Sequence, residues 1–343
     1  MGMPLTLAVF YSILIAFNSP KVKVEEKLVR VPEIRDFNLE FLAHSSDYSV
    51  VAFVDRTKAT ICFLYSEKDS IYLWNYGLLG YKRIHIADFS SDGSEVIYMY
   101  SFQKFGDWEK KLAIYNISQN KTETLLSFEG ARGIIASPPR FSPDGKWIAL
   151  FGELAPDEGY YFWLISRDGR IKKKIGKWEK WQGLVWSNTG RYIAYNRIEG
   201  ERAPFRPYLW IYDVEKDTHW LLAEGGDLWK SFSPDDRWIV FNSREGNIWL
   251  GKVDGSEFRT LARLLGSNYE WSPEGQRIAF YWAKADPIRD KETEAYLYVV
   301  NIDGTNLRRL AELPPGLMPA RLGFRWKDDS TIVIYRLEKE RNQ

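Results

Sequence analysis

One frame recurs along this chain, and it limits the fold more than any other feature. Its fullest copy is Phe141-Ser142-Pro143-Asp144-Gly145-Lys146-Trp147-Ile148-Ala149-Leu150-Phe151. It returns as Phe232-Ser233-Pro234-Asp235-Asp236-Arg237-Trp238-Ile239-Val240-Phe241 and as Trp271-Ser272-Pro273-Glu274-Gly275-Gln276-Arg277-Ile278-Ala279-Phe280. Looser copies begin at Phe89, Trp186, His44 and Trp326. The proline-equivalent positions are 46, 91, 143, 188, 234, 273 and 328, so successive steps are 45, 52, 45, 46, 39 and 55. A period near 45 fits a four-stranded unit, and no 3.6-residue pattern fills the intervals to argue for helices. The frame has a physical logic. An aromatic ends one strand, Pro fixes φ at the first corner of a turn, Asp follows, and Gly takes the φ > 0 position that closes a tight hairpin. The next strand, as in Trp147 to Phe151, is expected to alternate.

A second element follows in each unit. It is an aromatic-rich strand ending in Asp-Gly, as in Tyr296-Leu297-Tyr298-Val299-Val300-Asn301-Ile302-Asp303-Gly304, with partners ending at Asp168-Gly169 and Asp254-Gly255. A short outer strand such as Leu307 to Leu310 comes next, so each unit reads as strands a, b, c and d. Together, Phe-Ser-Pro-Asp-Gly-Lys-x-Ile-Ala and Leu-Tyr-Val-Val-Asn-Ile-Asp-Gly-Thr-Asn resemble the repeat of TolB-like propellers. They are also similar to the repeat in the N-terminal propellers of prolyl-oligopeptidase-type peptidases. The resemblance covers about residues 30 to 338. It implies an all-β, seven-bladed β-propeller of four-stranded antiparallel blades, one domain spanning 1–343, and it specifies no function.

The anchor at 328 is followed by one strand only, Ser330 to Leu337, so the last blade lacks c and d. Leu14 to Pro20 reads like the c strand at Leu112 to Ser118, and Val24 to Val29 like the d strand at Lys121 to Leu126. N-terminal strands are therefore expected to join the C-terminal blade and close the ring. The rival reading takes Leu5 to Phe17 as a signal-like segment, although no Lys or Arg precedes Lys21. That reading leaves six complete blades and an exported or cell-envelope protein; the strand reading implies a cytoplasmic one.

Composition removes several functions. Lys+Arg is 47 against Asp+Glu 46, a net charge of +1, which gives no reason to expect nucleic acid. No apolar run is long enough for an integral membrane span. The single cysteine, Cys62, excludes a Cys-based metal site and an internal disulfide. Low cysteine with abundant Lys, Arg and Glu is a thermophile-like composition. No Gly-x-Ser-x-Gly elbow, Walker A loop or His-Glu-x-x-His motif occurs, and nothing marks the chain as an enzyme. The three histidines, His44, His85 and His219, share no metal-like spacing. No metal and no cofactor is expected.

Two sets of residues are candidates for binding. The residue before each anchor aromatic should face the central channel, where Asp88, Arg140, Glu270 and Arg325 would bind a small polar ligand or pair with each other. The long b–c connections, Phe102 to Lys110, Glu153 to Gly159, Glu199 to Pro207 and Lys284 to Thr293, gather on one face. With Trp178, Trp181, Phe205 and Arg206 they suggest a surface for a protein partner. The leading expectation is a non-catalytic binding or scaffold propeller. The alternatives are a ligand-binding or enzymatic propeller using its channel, and a hydrolase-type propeller that pairs with a separate catalytic chain.

Overall fold

The computed structural model describes residues 22–31, 43–45, 50–55, 60–65, 70–74, 81–104, 107–129, 134–135, 137–154, 159–177, 183–199, 206–286, 291–313 and 322–339. All its regular structure is β-strand. β1 (Lys23–Val31) precedes the repeats. Unit one is β2 (Ala43–His44), β3 (Val50–Asp55), β4 (Thr60–Tyr65) and β5 (Ser70–Trp74). Unit two is β6 (Tyr81–Phe89), β7 (Glu95–Lys104), β8 (Asp107–Asn116) and β9 (Lys121–Glu129). In unit three, β10 (Ile134–Ile135) and β11 (Arg140–Phe141) both pair with β12 (Trp147–Glu153), followed by β13 (Tyr161–Ser166) and β14 (Lys172–Lys177). Unit four is β15 (Leu184–Trp186), β16 (Tyr192–Glu199), β17 (Arg206–Asp213) and the first part of β18 (Thr218–Phe232). The rest of β18 opens unit five, with β19 (Trp238–Ser243), β20 (Ile248–Lys252) and β21 (Phe258–Ala262). Unit six is β22 (Ser267–Trp271), β23 (Arg277–Asp286), β24 (Lys291–Asn301) and β25 (Arg308–Leu313). Unit seven is β26 (Leu322–Asp328) and β27 (Thr331–Lys339), with β1 alongside.

Within units one to six, successive strands pair antiparallel. The repeated turn has one geometry in units two to six. In unit three the Ser142 N–H bonds the Trp147 carbonyl at 2.8 Å and the Gly145 N–H bonds the Ser142 carbonyl at 2.9 Å. Gly145 sits at φ 70°. Asp236 takes the same left-handed position at φ 57°, so unit five closes its turn without glycine.

Three features differ from the sequence expectation. First, the b strands do not alternate: Ile148 to Gly152 are all buried. The sheets of units three to six are covered on both faces by their neighbours, so both sides of their b and c strands are core. Ile148 and Leu150 pack on Ile97 and Ile114 of unit two, while Ala149 and Phe151 pack on Ile193 and Tyr195 of unit four. Similar clusters join units four to five, five to six, and six to seven. Second, d of unit four and a of unit five are one strand, β18. It bends at Gly225, where φ is 97° and a Cβ would lie 2.7 Å from the Arg244 nitrogen. Third, the N-terminal strand joins the C-terminal unit as expected, but it lies directly against β27 and runs parallel to it, Lys23 opposite Thr331 through Val31 opposite Lys339. Its direction is that of a d strand, while its place is that of c. The segment read as the c strand, Leu14 to Pro20, lies outside the described residues.

Candidate functional site

The a strands form the inner edge. β6 touches β2 and β11, and β26 touches β22. Near the turn end of these strands, the residue before each anchor aromatic is solvent-accessible between buried neighbours. Asp88 lies between buried Ala87 and Phe89, Arg140 between Pro139 and Phe141, Glu270 between Tyr269 and Trp271, and Arg325 between Phe324 and Trp326. Their backbone is fixed across the unit boundaries. The indole N–H of Trp186 donates to the Arg140 carbonyl at 3.3 Å, Trp271 to Ser231 at 3.2 Å, and Trp326 to Glu270 at 3.1 Å.

The four charges fall into two couples. Asp88 accepts from Arg140 Nη1 at 3.2 Å and from the Phe141 N–H at 3.0 Å. Loss of hydration among the inner strands pushes the Asp88 carboxyl up, against the pull of Arg140 and of that backbone N–H. Both its oxygens are used, so this couple clamps unit two to unit three. The second couple is looser. Arg325 Nε donates to Tyr335 Oη at 3.0 Å, with the guanidinium 5.7 Å from that ring. Glu270 is pushed up to about 7 because the surrounding protein strips its hydration, and Arg325 only partly offsets this.

The tight-turn face is stitched together by contacts that sequence reasoning missed. In six copies of the frame the serine is buried: Ser45, Ser90, Ser142, Ser187, Ser233 and Ser272. Ser142 Oγ donates to Asp144 at 2.6 Å and accepts the Trp147 N–H at 2.9 Å. Recurrence of serine in the frame was the available signal. Asp236 reaches into unit four, where it accepts from the backbone and side chains of Asn188 and Thr189 at 2.5 to 3.3 Å. Arg167 of unit three grips Glu95 of unit two at 2.6 and 2.9 Å, and Glu123 at 3.2 Å.

The opposite face carries the b–c connections. In three of those read as loops, the described residues are strand. β7 and β8 stay in register out to Lys104 opposite Asp107, β16 and β17 to Glu199 opposite Arg206, and β23 and β24 to Asp286 opposite Lys291. These hairpins of units two, four and six outreach unit five, where Ser243 and Asn247 close a tight turn. Aromatics ladder along them. Tyr98, Tyr100 and Phe102 stack at 5.6 and 6.1 Å, Trp282 stacks on Tyr296 at 5.8 Å, and Arg309 caps Tyr296 at 4.3 Å. Arg206 is the first residue of β17; Trp178, Trp181 and Phe205 lie outside the described residues.

A groove of about 970 Å³ opens between units four and five, walled by Tyr192, Trp220 and Trp238. Its carboxylates are already engaged: Asp213 by Arg191 at 3.0 Å, Asp236 by unit four, Asp235 by Ser233 Oγ at 2.6 Å and Asp254 by the Ser256 N–H at 2.9 Å. It is therefore a seam between units and not a set of converging open groups. Among the described residues no three His, Cys, Asp or Glu side chains group as a metal site, and no helix is long and apolar enough to cross a membrane. His219 is exposed, with its ring edge-on to Trp210 at 5.5 Å.

With this geometry in hand, known proteins give a fold. Similar solved structures include an oligogalacturonate lyase in complex with manganese, at 14% identity over 78% of each chain with a TM-score of 0.57. A prolyl endopeptidase matches at 11% identity, over 78% of this chain and 42% of its own, with a TM-score of 0.55. The Swd1 β-propeller domain of Myceliophteria thermophila matches at 12% identity over 85% of this chain and 91% of its own, with a TM-score of 0.52. The fold is a β-propeller. At these identities the likeness extends to the fold alone. No family model matches the chain. An uncharacterized protein of Agrobacterium fabrum is 29% identical over 184 residues, 50% of this chain and 60% of that protein. The match thus spans less than two thirds of that relative.

Proposed function

We propose that this chain is a non-catalytic binding propeller that presents its b–c hairpin face to a protein partner. The observation that carries the reading is the difference between the two faces. One is closed by side chains bonded from unit to unit. The other sends out the hairpins of units two, four and six beyond the body of their sheets. Partly exposed aromatics and charges of both signs on these hairpins suit a protein surface, where Tyr, Trp and Arg contribute most to affinity. On this reading Phe205 and Arg206 contact the partner from the tip of the unit-four hairpin. Trp178 and Trp181, between β14 and β15 in sequence, are proposed to contribute to the same contact. The overall charge balance favours neither a nucleic acid nor an anionic surface.

The test replaces the three hairpin tips with short Gly-Ser turns in the full chain. Partners cross-linked to the native protein in its source cells are then compared with those of the variant. Loss of specific partners at an unchanged unfolding midpoint is expected. Retention of the same partners would overturn the reading.

A further inference from the structure

The even overall charge hides one local excess, on the rim of unit three. Its outer strand β14 carries Lys172, Lys173, Lys174 and Lys177 and no acidic residue. The outer strands of units two and six mix signs, with Lys121, Glu123 and Glu129 on β9 and Arg308, Arg309 and Glu312 on β25. β21 has Arg259 as its one charge, and β5 has none. We propose that the open edge of β14 takes an acidic peptide segment of a partner protein as an added strand.

The argument starts from the backbone. β14 is the last strand of its sheet and pairs with β13 on one side only. An edge of this kind presents a row of N–H and C=O groups ready for another strand. Lysines flank that row on both sides of the sheet. Lys172 lies opposite Ile165 and Lys174 opposite Trp163, residues that pack towards unit two. Lys173 lies opposite Leu164, which packs towards unit four, and its Nζ reaches Asp217 of that unit at 3.3 Å. Lys174 keeps its charge over the rings of Tyr161 and Trp163, at 4.6 and 5.3 Å. Lys172 and Lys177 are exposed, as is the apolar side chain of Ile171 beside them.

Like charges directly opposite each other repel, so these lysines discourage β14 from pairing with a second copy of itself. The same charges favour a strand with carboxylates on both faces, since each opposite-charge pair adds to the main-chain ladder. The edge therefore excludes one kind of strand and admits another. A nucleic acid would meet the lysines but leave the row of N–H and C=O groups unused. An acidic peptide engages both.

The experiment titrates the full chain with the capped, labelled peptide Glu-Val-Val-Glu-Glu-Glu. Laid antiparallel to β14, it places carboxylates opposite Lys177, Lys174, Lys173 and Lys172. Saturable binding by fluorescence anisotropy is expected, with amide exchange slowed at least about fivefold at alternate residues of β14. Raising salt from about 0.05 M to about 0.5 M should weaken binding about tenfold. Lys172→Glu combined with Lys177→Glu changes exposed side chains, so it should lose at least about tenfold in affinity at an unchanged unfolding midpoint. Arg237→Glu, at an exposed turn of unit five, should bind like the native chain. The peptide Glu-Pro-Pro-Glu-Glu-Glu has the same charge but lacks two main-chain donors, and should bind at least about tenfold more weakly. No binding of the first peptide, equal binding of the proline peptide or of a single-stranded oligothymidylate, or binding without slower exchange in β14 would overturn the proposal. The hairpin-tip variant should bind the peptide normally, so this edge and the partner face fail or stand separately.

Discussion

Two residues show how far a single side chain can depart from its place in the repeat. Asp236 stands where other units have glycine and accepts the strain of φ 57°. Its carboxylate takes up Asn188 and Thr189 of the preceding unit and is itself buried. Asp236→Ala keeps the strain and removes the acceptor of part-buried donors on Asn188 and Thr189, so it should cost about 2–3 kcal/mol in urea unfolding. Asp236→Gly relieves the backbone and should cost less, about 1–2 kcal/mol. Equal losses would show that the hydrogen bonds count for little. Glu270 departs in its titration. Loss of hydration among the neighbouring strands raises it from 4.5 to about 7, so between those values the folded chain holds the proton more tightly than the unfolded one. Its contribution is therefore present at acid pH and falls as pH rises towards about 7. Glu270→Gln should flatten that fall and be the more stable form at about pH 8. Denaturant midpoints of both proteins at pH 5 and pH 8 decide, and parallel pH dependences would refute the assignment.

At the scale of the element, the unit is the turn with its two strands. Ser142 joins both ends of that turn through one hydroxyl, buried and bonded to Asp144 and to the Trp147 N–H. Ser142→Ala should cost about 1–2 kcal/mol, since it leaves a buried N–H without a partner. Exposed Lys146→Ala, three residues on from the turn's proline, should cost within about 0.5 kcal/mol. The turn was legible in the sequence because proline and glycine force its backbone wherever they occur. Serine was not, because its work is a side-chain bond that composition does not announce. The b–c hairpins were misread for a related reason. Stretches such as Gln103 to Trp108 look like loops because they lack an alternating apolar pattern, yet Gln103 pairs with Trp108 and Lys104 with Asp107 in one ladder. Of the binding candidates, the axial residues were legible from their position alone, one before each anchor. The pairing that separates Asp88–Arg140 from Glu270–Arg325 depends on contacts between units, which no spacing within one unit reveals.

The whole molecule depends on how its ends meet. The strand that precedes unit one in sequence is bonded into unit seven, with the Lys23 N–H on the Ser330 carbonyl at 2.7 Å and Lys327 Nζ on Glu25 at 3.1 Å. Connectivity explains the parallel direction. An a strand starts on the face that carries the b–c hairpins, and β27 ends on that face. A strand that is to lead into β2 must therefore run the same way as β27. An antiparallel strand in that place would finish on the opposite face and need another strand to return. β1 also covers the edge of β27, whose open N–H and C=O groups would otherwise pair with another chain. Val24 packs against the cluster formed by Ile332, Ile334 and Leu297, so Val24→Asp should release β1 and loosen its contact with unit six. Amide exchange at Thr331 to Tyr335 should then accelerate by at least about tenfold, while units two to five keep their protection. The variant should also associate through the bared edge at high concentration. Unchanged exchange in β27 would mean that unit seven holds without β1, and the two ends of the repeat array would then be joined by something other than this strand.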